Sequence, residues 1–268
     1  MTTNSSTSKE YPVVCFQNGQ NPRADRRPLI RETPLSVHID GRPFLDTTRT
    51  PVNDELLAIG ILFAQGAIST VAEIDSIQVL TGTENAEKGD LVKDAMHLTL
   101  AKTSSTAKPP AETGEGQKSG LERTIKSPRN ETFSFRKLAQ LPQIMTAHQE
   151  LYASSRAAHA VGIFNWKGEL LSCQEDASRT HALHKALGFC LKHHVARQQT
   201  IAVFSGRINN AIALTIVRAG FPLVLSISAP TDSAVDILSR AGVTYIGSLR
   251  DHRGVLYTPG KEFITITP

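Results

Sequence analysis

Arg207 sits in a Ser205-Gly206-Arg207 turn, and Ser228-Ala229-Pro230-Thr231 forms a second turn of the same kind twenty-odd residues on. Each turn follows an apolar run and precedes residues at helical spacing. In an open α/β sheet such turns lie at the carboxyl ends of strands, where ligands gather. Backbone N–H groups at helix starts favour anions, and a guanidinium fork matches phosphate. Two adjacent turns with the hydroxyls of Ser205, Ser228 and Thr231 therefore suit a phosphorylated ligand. Ordinary capping competes with that reading, because Ser, Thr and Asp begin many helices for their hydrogen bonds alone.

The elements that must position these turns form one repeated unit. Thr200 to Phe204 reads as a strand, Asn209 to Ala219 as a helix closed by Gly220, and Phe221 to Ile227 as the next strand. Asp232 to Ala241 reads as a second helix stopped by Gly242 before the strand Val243 to Ile246. A glycine after each helix fits a left-handed C-terminal residue. The order is βαβαβ, which predicts a parallel sheet.

A third polar patch runs from Gln174 to Lys185 (QEDASRTHALHK), after a strand from Ala160 to Asn165 and another ending at Cys173. On a helix from about Ser178, the side chains of His181, His184 and Lys185 share one face, and Leu183, Leu187 and Leu191 another. The polar face is expected to meet either a ligand or solvent. A metal site built from His159, Asp176, His181 and His184 is conceivable, since histidines three apart on a helix can converge; no metal is assigned. Of the three cysteines, Cys173 is best placed to be a nucleophile because it leads into this patch, whereas Cys190 lies on the apolar helical face. A cysteine on an apolar strand also serves as a small buried hydrophobe.

These motifs resemble those of the formate dehydrogenase accessory proteins, FdhD (NarQ), also described as sulfur carriers for the molybdenum cofactor. The family's E-D-x-x-R…K…G helix start appears as Glu175, Asp176, Arg179, Lys185 and Gly188. Its S-G-R turn is Ser205-Gly206-Arg207, its S-A-P-T turn is Ser228 to Thr231, and its strand histidine is His159. Thr50-Pro51, followed by Leu57, Gly60 and Gly66, matches an upstream family stretch. The resemblance runs from about Glu32 to Tyr257. It departs at the Cys-x-x-Cys: Thr106 and Pro109 stand where the thiols fall, and neither can carry a sulfane sulfur reversibly. Ser178, Thr180, His181 and His184 also replace the family's residues in the helix start.

The resemblance implies a C-terminal three-layer α/β/α domain of cytidine-deaminase-like topology with a smaller N-terminal α+β portion. It implies binding of the bis-molybdopterin guanine dinucleotide molybdenum cofactor, with GDP as a mimic. Its partners would be a cysteine desulfurase and formate dehydrogenase or another molybdopterin enzyme, and a homodimer is allowed. The ligand set it suggests is His159, Asp176, Arg179, Lys185, Ser205, Gly206, Arg207, Ser228, Ala229 and Thr231, with Ser248, Leu249, Arg250, Asp251, His252 and Arg253 near the last strand. The replaced thiols leave open whether the chain is itself a sulfurtransferase, with Cys173 the candidate for that role. A cofactor- or nucleotide-binding paralogue without sulfur transfer is the alternative, and a hydrolase using Asp176 or His159 as general base is a third reading. Deaminase chemistry needs H-x-E together with P-C-x-x-C, and the pair is not present.

Composition sets the frame. With 268 residues, 40% of them hydrophobic, the chain can bury a sizeable core. A net charge of +4 without an aromatic-interleaved basic face argues against nucleic acid. The longest apolar run, Leu56 to Ala64, is well short of the roughly 20 residues of a membrane span. The start lacks a signal-peptide layout, which predicts a cytoplasmic protein. Four stretches are expected: a disordered segment 1–30, an α+β portion 31–102 with a hairpin at Asp40-Gly41, a flexible loop 103–131, and an α/β ligand-binding domain 132–268. Pro142 is expected to start a helix reaching about Ala153.

Overall fold

The computed structural model describes residues 7–80, 94–101, 125, 131–260 and 264–268. Contrary to the expected disorder, the chain enters as an antiparallel ribbon, β1 (Ser8–Cys15) with β2 (Arg23–Ile30), paired over eight residues from Ser8↔Ile30 to Cys15↔Arg23. The cause is visible at its turn. Asn18-Gly19 is a strong hairpin dipeptide, and Gly19 adopts φ 76° where an L side chain would be strained. Arg23 and Arg27 both meet Asp25, at 3.7 and 3.0 Å, so the N-terminal basic cluster is partly paired on an ordered ribbon.

A four-stranded sheet follows. It is built from β3 (Thr33–Ile39), β4 (Arg42–Arg49), β5 (Ile74–Leu80) and β6 (Asp94–Leu100), in the order β4-β3-β6-β5. Asp40 and Gly41, at φ 49° and 76°, make the tight turn between β3 and β4. Leu35, Val37, Ile39, Met96 and Leu98 alternate onto the face that packs against α1 (Asp54–Gln65).

The second half begins with β7 (Glu131–Ser134), α2 (Phe135–Leu138), α3 (Leu141–Thr146) and α4 (Glu150–Ser155). The single helix expected from Pro142 is broken at 147–149, and Glu175 supplies the reason. Its carboxylate accepts the Leu151 and Tyr152 N–H groups at 2.8 and 2.9 Å, capping α4 from a neighbouring strand. Then come β8 (His159–Asn165), β9 (Leu170–Asp176), α5 (Arg179–Lys192), β10 (Thr200–Phe204), α6 (Asn210–Ala219), β11 (Leu223–Ser226), α7 (Asp232–Ala241), β12 (Thr244–Arg250), β13 (Arg253–Pro259) and β14 (Ile264–Thr267).

Six of these strands form one sheet in the order β13-β12-β11-β10-β8-β9. The core β10-β11-β12 is parallel, as βαβαβ requires, but β8 and β13 flank it antiparallel, so the sheet is mixed. Residues alternate between its faces. Val161, Ile163, Ala202, Phe204, Val224 and Tyr245 point to α5, α6 and α7, while Ala160, Phe164, Ile201, Val203, Leu225 and Ile246 point to α2, α3 and the β7–β14 pair. Because consecutive strands lie side by side and such crossovers share one hand, α6 and α7 fall on the same face.

The smaller portion is continuous with the larger through a single core that runs from Leu35 through α1 and α5 to Tyr245. The α1–α5 crossing is close. A Cβ at Gly60 would collide with the His184 carbonyl, and one at Gly188 with the Leu56 carbonyl. Thr106, Pro109 and most of the expected 103–131 loop lie outside the described residues; Ile125 is buried and its N–H donates to the Ala241 carbonyl at 2.9 Å.

Candidate functional site

The two turns that carry Ser205-Gly206-Arg207 and Ser228-Ala229-Pro230-Thr231 follow β10 and β11, which are parallel neighbours, so they open side by side. Hydrogen bonds join them. The Thr231 N–H donates to the Ile208 carbonyl at 2.9 Å, and the Ser228 hydroxyl to the Ser205 carbonyl at 3.3 Å. The end of β12 joins the same group, with the Ser248 N–H donating to the Ser228 carbonyl at 3.2 Å and Arg250 Nε to the Ile227 carbonyl at 3.3 Å. Between them lies a cleft of about 480 Å³ lined by Arg207, Ile227, Ser228, Ala229, Ser248 and Arg250.

Capping takes part of the chemistry assigned to the turns. Asn209 accepts the Ile212 N–H and so caps α6, and Thr231 Oγ1 accepts the Ala234 N–H and caps α7. Ser205 exchanges bonds with the start of β8: its N–H donates to the Ala160 carbonyl at 3.0 Å and its Oγ accepts the Ala160 N–H at 2.8 Å. The arginines are different. Arg207 and Arg250 are exposed, and among the described residues neither has a carboxylate partner.

The hairpin from β12 to β13 explains the rest of the 248–253 stretch. Asp251 and His252, at φ 49° and 57°, form its two-residue turn, conformations that Asp and His tolerate better than most residues. The turn sets Arg250 directly opposite Arg253, a like-charge pairing that costs stability unless an anion is shared between them. Ser248, at φ 52°, introduces the irregularity between Gly247 and Arg250 and lines the cleft. Leu249 corrects the expectation: only 2% exposed, it points into the core with Ile246 and Leu225 and presents no side chain to a ligand.

His159 begins β8, which runs antiparallel to β10, so it stands at the same rim as the turns. A Cβ at Gly206 would lie 3.2 Å from His159 Nδ1 and 3.5 Å from Arg179 Cβ, which brings these three residues together and explains the glycine. Burial, helped by the nearby Arg179 charge, pushes the His159 imidazole below its ordinary range, so near pH 7 it is neutral and can accept a hydrogen bond.

The polar face of α5 turns inward, against both readings of the sequence. Lys185 and Asp176 are fully buried and paired at 2.6 Å. Lys185 Nζ also donates to the Thr50 carbonyl at 3.0 Å and the Glu175 carbonyl at 3.3 Å. Asp176 accepts the Thr50 and Ser178 N–H groups at 3.2 and 2.8 Å. These two residues lie beneath the rim with no free polar atom to offer a ligand. His181 Nε2 pairs with the Thr47 hydroxyl at 3.1 Å, and His184 is 7% exposed, both packed toward the smaller portion.

Burial, reinforced by His181, pushes the His184 imidazole down to about 3. In the unfolded chain the same group takes a proton near pH 6.5. The unfolded state therefore binds the extra proton first as the medium is acidified, and the native state loses about 2 kcal/mol between pH 7 and pH 5 from this group. Unfolding free energies from urea denaturation are expected to fall by about 2 kcal/mol less across that interval in His184→Gln. An unchanged slope would show that His184 is protonated in the folded protein.

Cys173 is a poor nucleophile here. Burial, together with the Glu175 charge, pushes its thiol up to about 12, and Sγ lies 3.9 Å from the Met145 carbonyl. It lines a separate depression with His148, Leu170, Leu171 and Ser172 on the edge strand β9, two strands away from β10. Cys190 is buried, with its thiol likewise pushed up to about 12, and Cys15 sits half-buried on the ribbon near Asp25 and Arg27. Among the described residues no three His, Cys, Asp or Glu side chains converge on a metal position, and no helix is long and apolar enough to cross a membrane.

Two supports of the cleft escaped the sequence. Ser226 Oγ bonds the Ser228 carbonyl at 2.6 Å and the Tyr245 hydroxyl at 2.7 Å, fixing the second turn from below. Both sit in apolar strand runs, where nothing in the sequence marks a polar contact. Thr50 was visible only as part of a motif.

The chain matches the FdhD/NarQ family model over residues 30–264. It is 31% identical over 241 residues to a sulfur carrier protein FdhD of Sulfurisphaera tokodaii, covering 88% of this chain and 91% of that protein. A protein of the same description from Streptomyces avermitilis is 29% identical over 236 residues, covering 83% of this chain and 84% of the relative. A crystal structure from Desulfotalea psychrophila, described provisionally as a formate dehydrogenase accessory protein, superposes with a TM-score of 0.74. It is 19% identical, with 96% of this chain and 99% of that one covered, and the likeness is one of fold.

Proposed function

The chain belongs to the FdhD/NarQ family, and on that premise we propose that it is an accessory protein for formate dehydrogenase maturation. It holds the bis-guanylyl molybdenum cofactor as cargo and is associated with the cofactor's sulfuration. The observation that carries this reading is the meeting of two turns and the end of β12 at one cleft that presents Arg207 and Arg250, neither with a carboxylate partner among the described residues. Guanidinium groups of this kind pair with phosphate oxygens through two parallel bonds. The cleft has the size of a small-molecule site, so it suits one guanylyl arm. Neutral His159 and Arg179 extend the rim by one strand position, and across β8, β10, β11 and β12 the strip measures about 15 Å. The strand order, counted from β8 as 2-1-3-4-5 with the first strand antiparallel, supports the cytidine-deaminase-like reading of this domain.

GDP, as a probe of the guanylyl arm, is expected to bind the wild-type chain in a calorimeter. Arg207→Ala and Arg250→Ala should each weaken it about tenfold, the loss of one charge-assisted bond. Affinity that ignores both substitutions would remove the cleft from the proposal.

A second reading, holding without sulfur transfer, is favoured by the thiols. Thr106 and Pro109 occupy the family's cysteine positions, and the Cys173 thiol is raised to about 12. The same preparation, incubated with a cysteine desulfurase and labelled cysteine, separates the two: label on a cysteine of this chain supports transfer, and GDP binding without label supports holding alone.

A further inference from the structure

Thr50 does not line the cleft, yet its N–H and its hydroxyl are both committed to the turn that builds one end of the rim. Its N–H donates to Asp176 Oδ2 at 3.2 Å, its Oγ1 accepts the Ala177 N–H at 3.1 Å, and its carbonyl accepts Lys185 Nζ at 3.0 Å. The residue is 0% exposed and follows the end of β4, in the smaller portion of the fold. The neighbouring Arg49 anchors that point: it is 1% exposed and bonded to Asp54, Asp94 and the Thr33 carbonyl.

The held turn, Asp176-Ala177-Ser178, leads directly into Arg179, and Asp176 is the strand partner of His159. Arg179 and His159 in turn enclose Gly206. A short chain of contacts thus runs from Thr50 through the β9–α5 turn to two side chains at the rim. We propose that Thr50 is a positioning residue, through which the smaller portion sets the spacing of His159 and Arg179 at the ligand-binding rim. The inference rests on the rim being the ligand site, and its test has one readout that needs no ligand.

That readout is the His159 imidazole, followed by NMR titration of the full chain. Burial, and after it the Arg179 charge, hold its titration low, and the groups facing it are Arg179 and the Ser205-Gly206 turn. Thr50→Val keeps the shape and removes the hydroxyl, leaving the half-buried Ala177 N–H without its acceptor. The His159 midpoint is expected to rise toward that of an exposed histidine, and GDP to bind about tenfold more weakly. Thr50→Ser restores the hydroxyl and is expected to return both within about twofold. Val217→Ala, a truncation in the core under α6, is the control for general destabilisation and should leave His159 unmoved.

An unmoved His159 in Thr50→Val overturns the inference, as does a shift of the same size in Val217→Ala. If Thr50→Val does not fold, Thr50→Cys, whose sulfur is a weak acceptor, takes its place with the same expected direction. Wild-type protein that binds no GDP would instead overturn the cleft reading, while the titration still decides the role of Thr50.

Discussion

Gly188→Ala is expected to lower unfolding free energy by about 3 kcal/mol or more, and Gly60→Ala by a similar amount. The new Cβ at 188 would land on the Leu56 carbonyl, and that at 60 on the His184 carbonyl. Both obstacles are helix backbone, which cannot swing aside as a side-chain tip can. Intrinsic propensity works the other way, since alanine in a helix interior is favoured over glycine by about 1 kcal/mol. A loss would therefore report packing between α1 and α5 and nothing local. Each substitution forces the same two axes apart, so the double variant should cost less than the sum of the singles. Chemical denaturation of the four proteins measures this directly. Stabilisation by either alanine would mean that the helices lie farther apart than described here.

Much of the larger portion is legible because local signals and the fold agree. Gly220 and Gly242, at φ 78° and 73°, end α6 and α7 where their left-handed caps predict. Thr200 to Phe204 is a strand over its predicted span because it is buried on both faces and bounded by turn residues. The rim was half legible. The residues mark the two turns, the family resemblance adds the 248–253 stretch, and the fold gathers residues of all three at one cleft. It could not mark Ser226 or Tyr245, since a hydroxyl inside an apolar strand looks like core until its partner is known.

The failures share a cause: periodicity identifies a face without naming what covers it. His181, His184 and Lys185 do share one side of α5, but that side meets β4, α1 and the end of β9 instead of ligand or water. Leu249 is grouped by the sequence with its polar neighbours, but the irregularity at Ser248 breaks the strand alternation and sends it into the core beside Ile246. The polar composition of the N-terminal segment predicts disorder, while Asn18-Gly19 carries the contrary signal of the ribbon at residues 8–30.

Lys185→Met is expected to cost about 3–5 kcal/mol, because it leaves the Asp176 carboxylate buried without its counter-charge. Asp176 is 0% exposed, so water cannot replace the ammonium, and the carbonyls of Thr50 and Glu175 each lose one donor in the same step. Burial holds the Lys185 titration below its ordinary range and the Asp176 charge opposes that shift, so without the carboxylate the buried amine would titrate lower still. The double variant Lys185→Met with Asp176→Leu separates attraction from desolvation. If the pair is mainly a desolvation burden, the double change should recover most of the lost stability, as apolar replacements of buried pairs often do. Recovered stability should not recover the rim, since Asp176 also accepts the Thr50 and Ser178 N–H groups that set Arg179 beside His159. Urea denaturation and GDP calorimetry on the same four proteins would show this split, and a double variant that regains both stability and affinity would mean that the buried pair has no part in shaping the site.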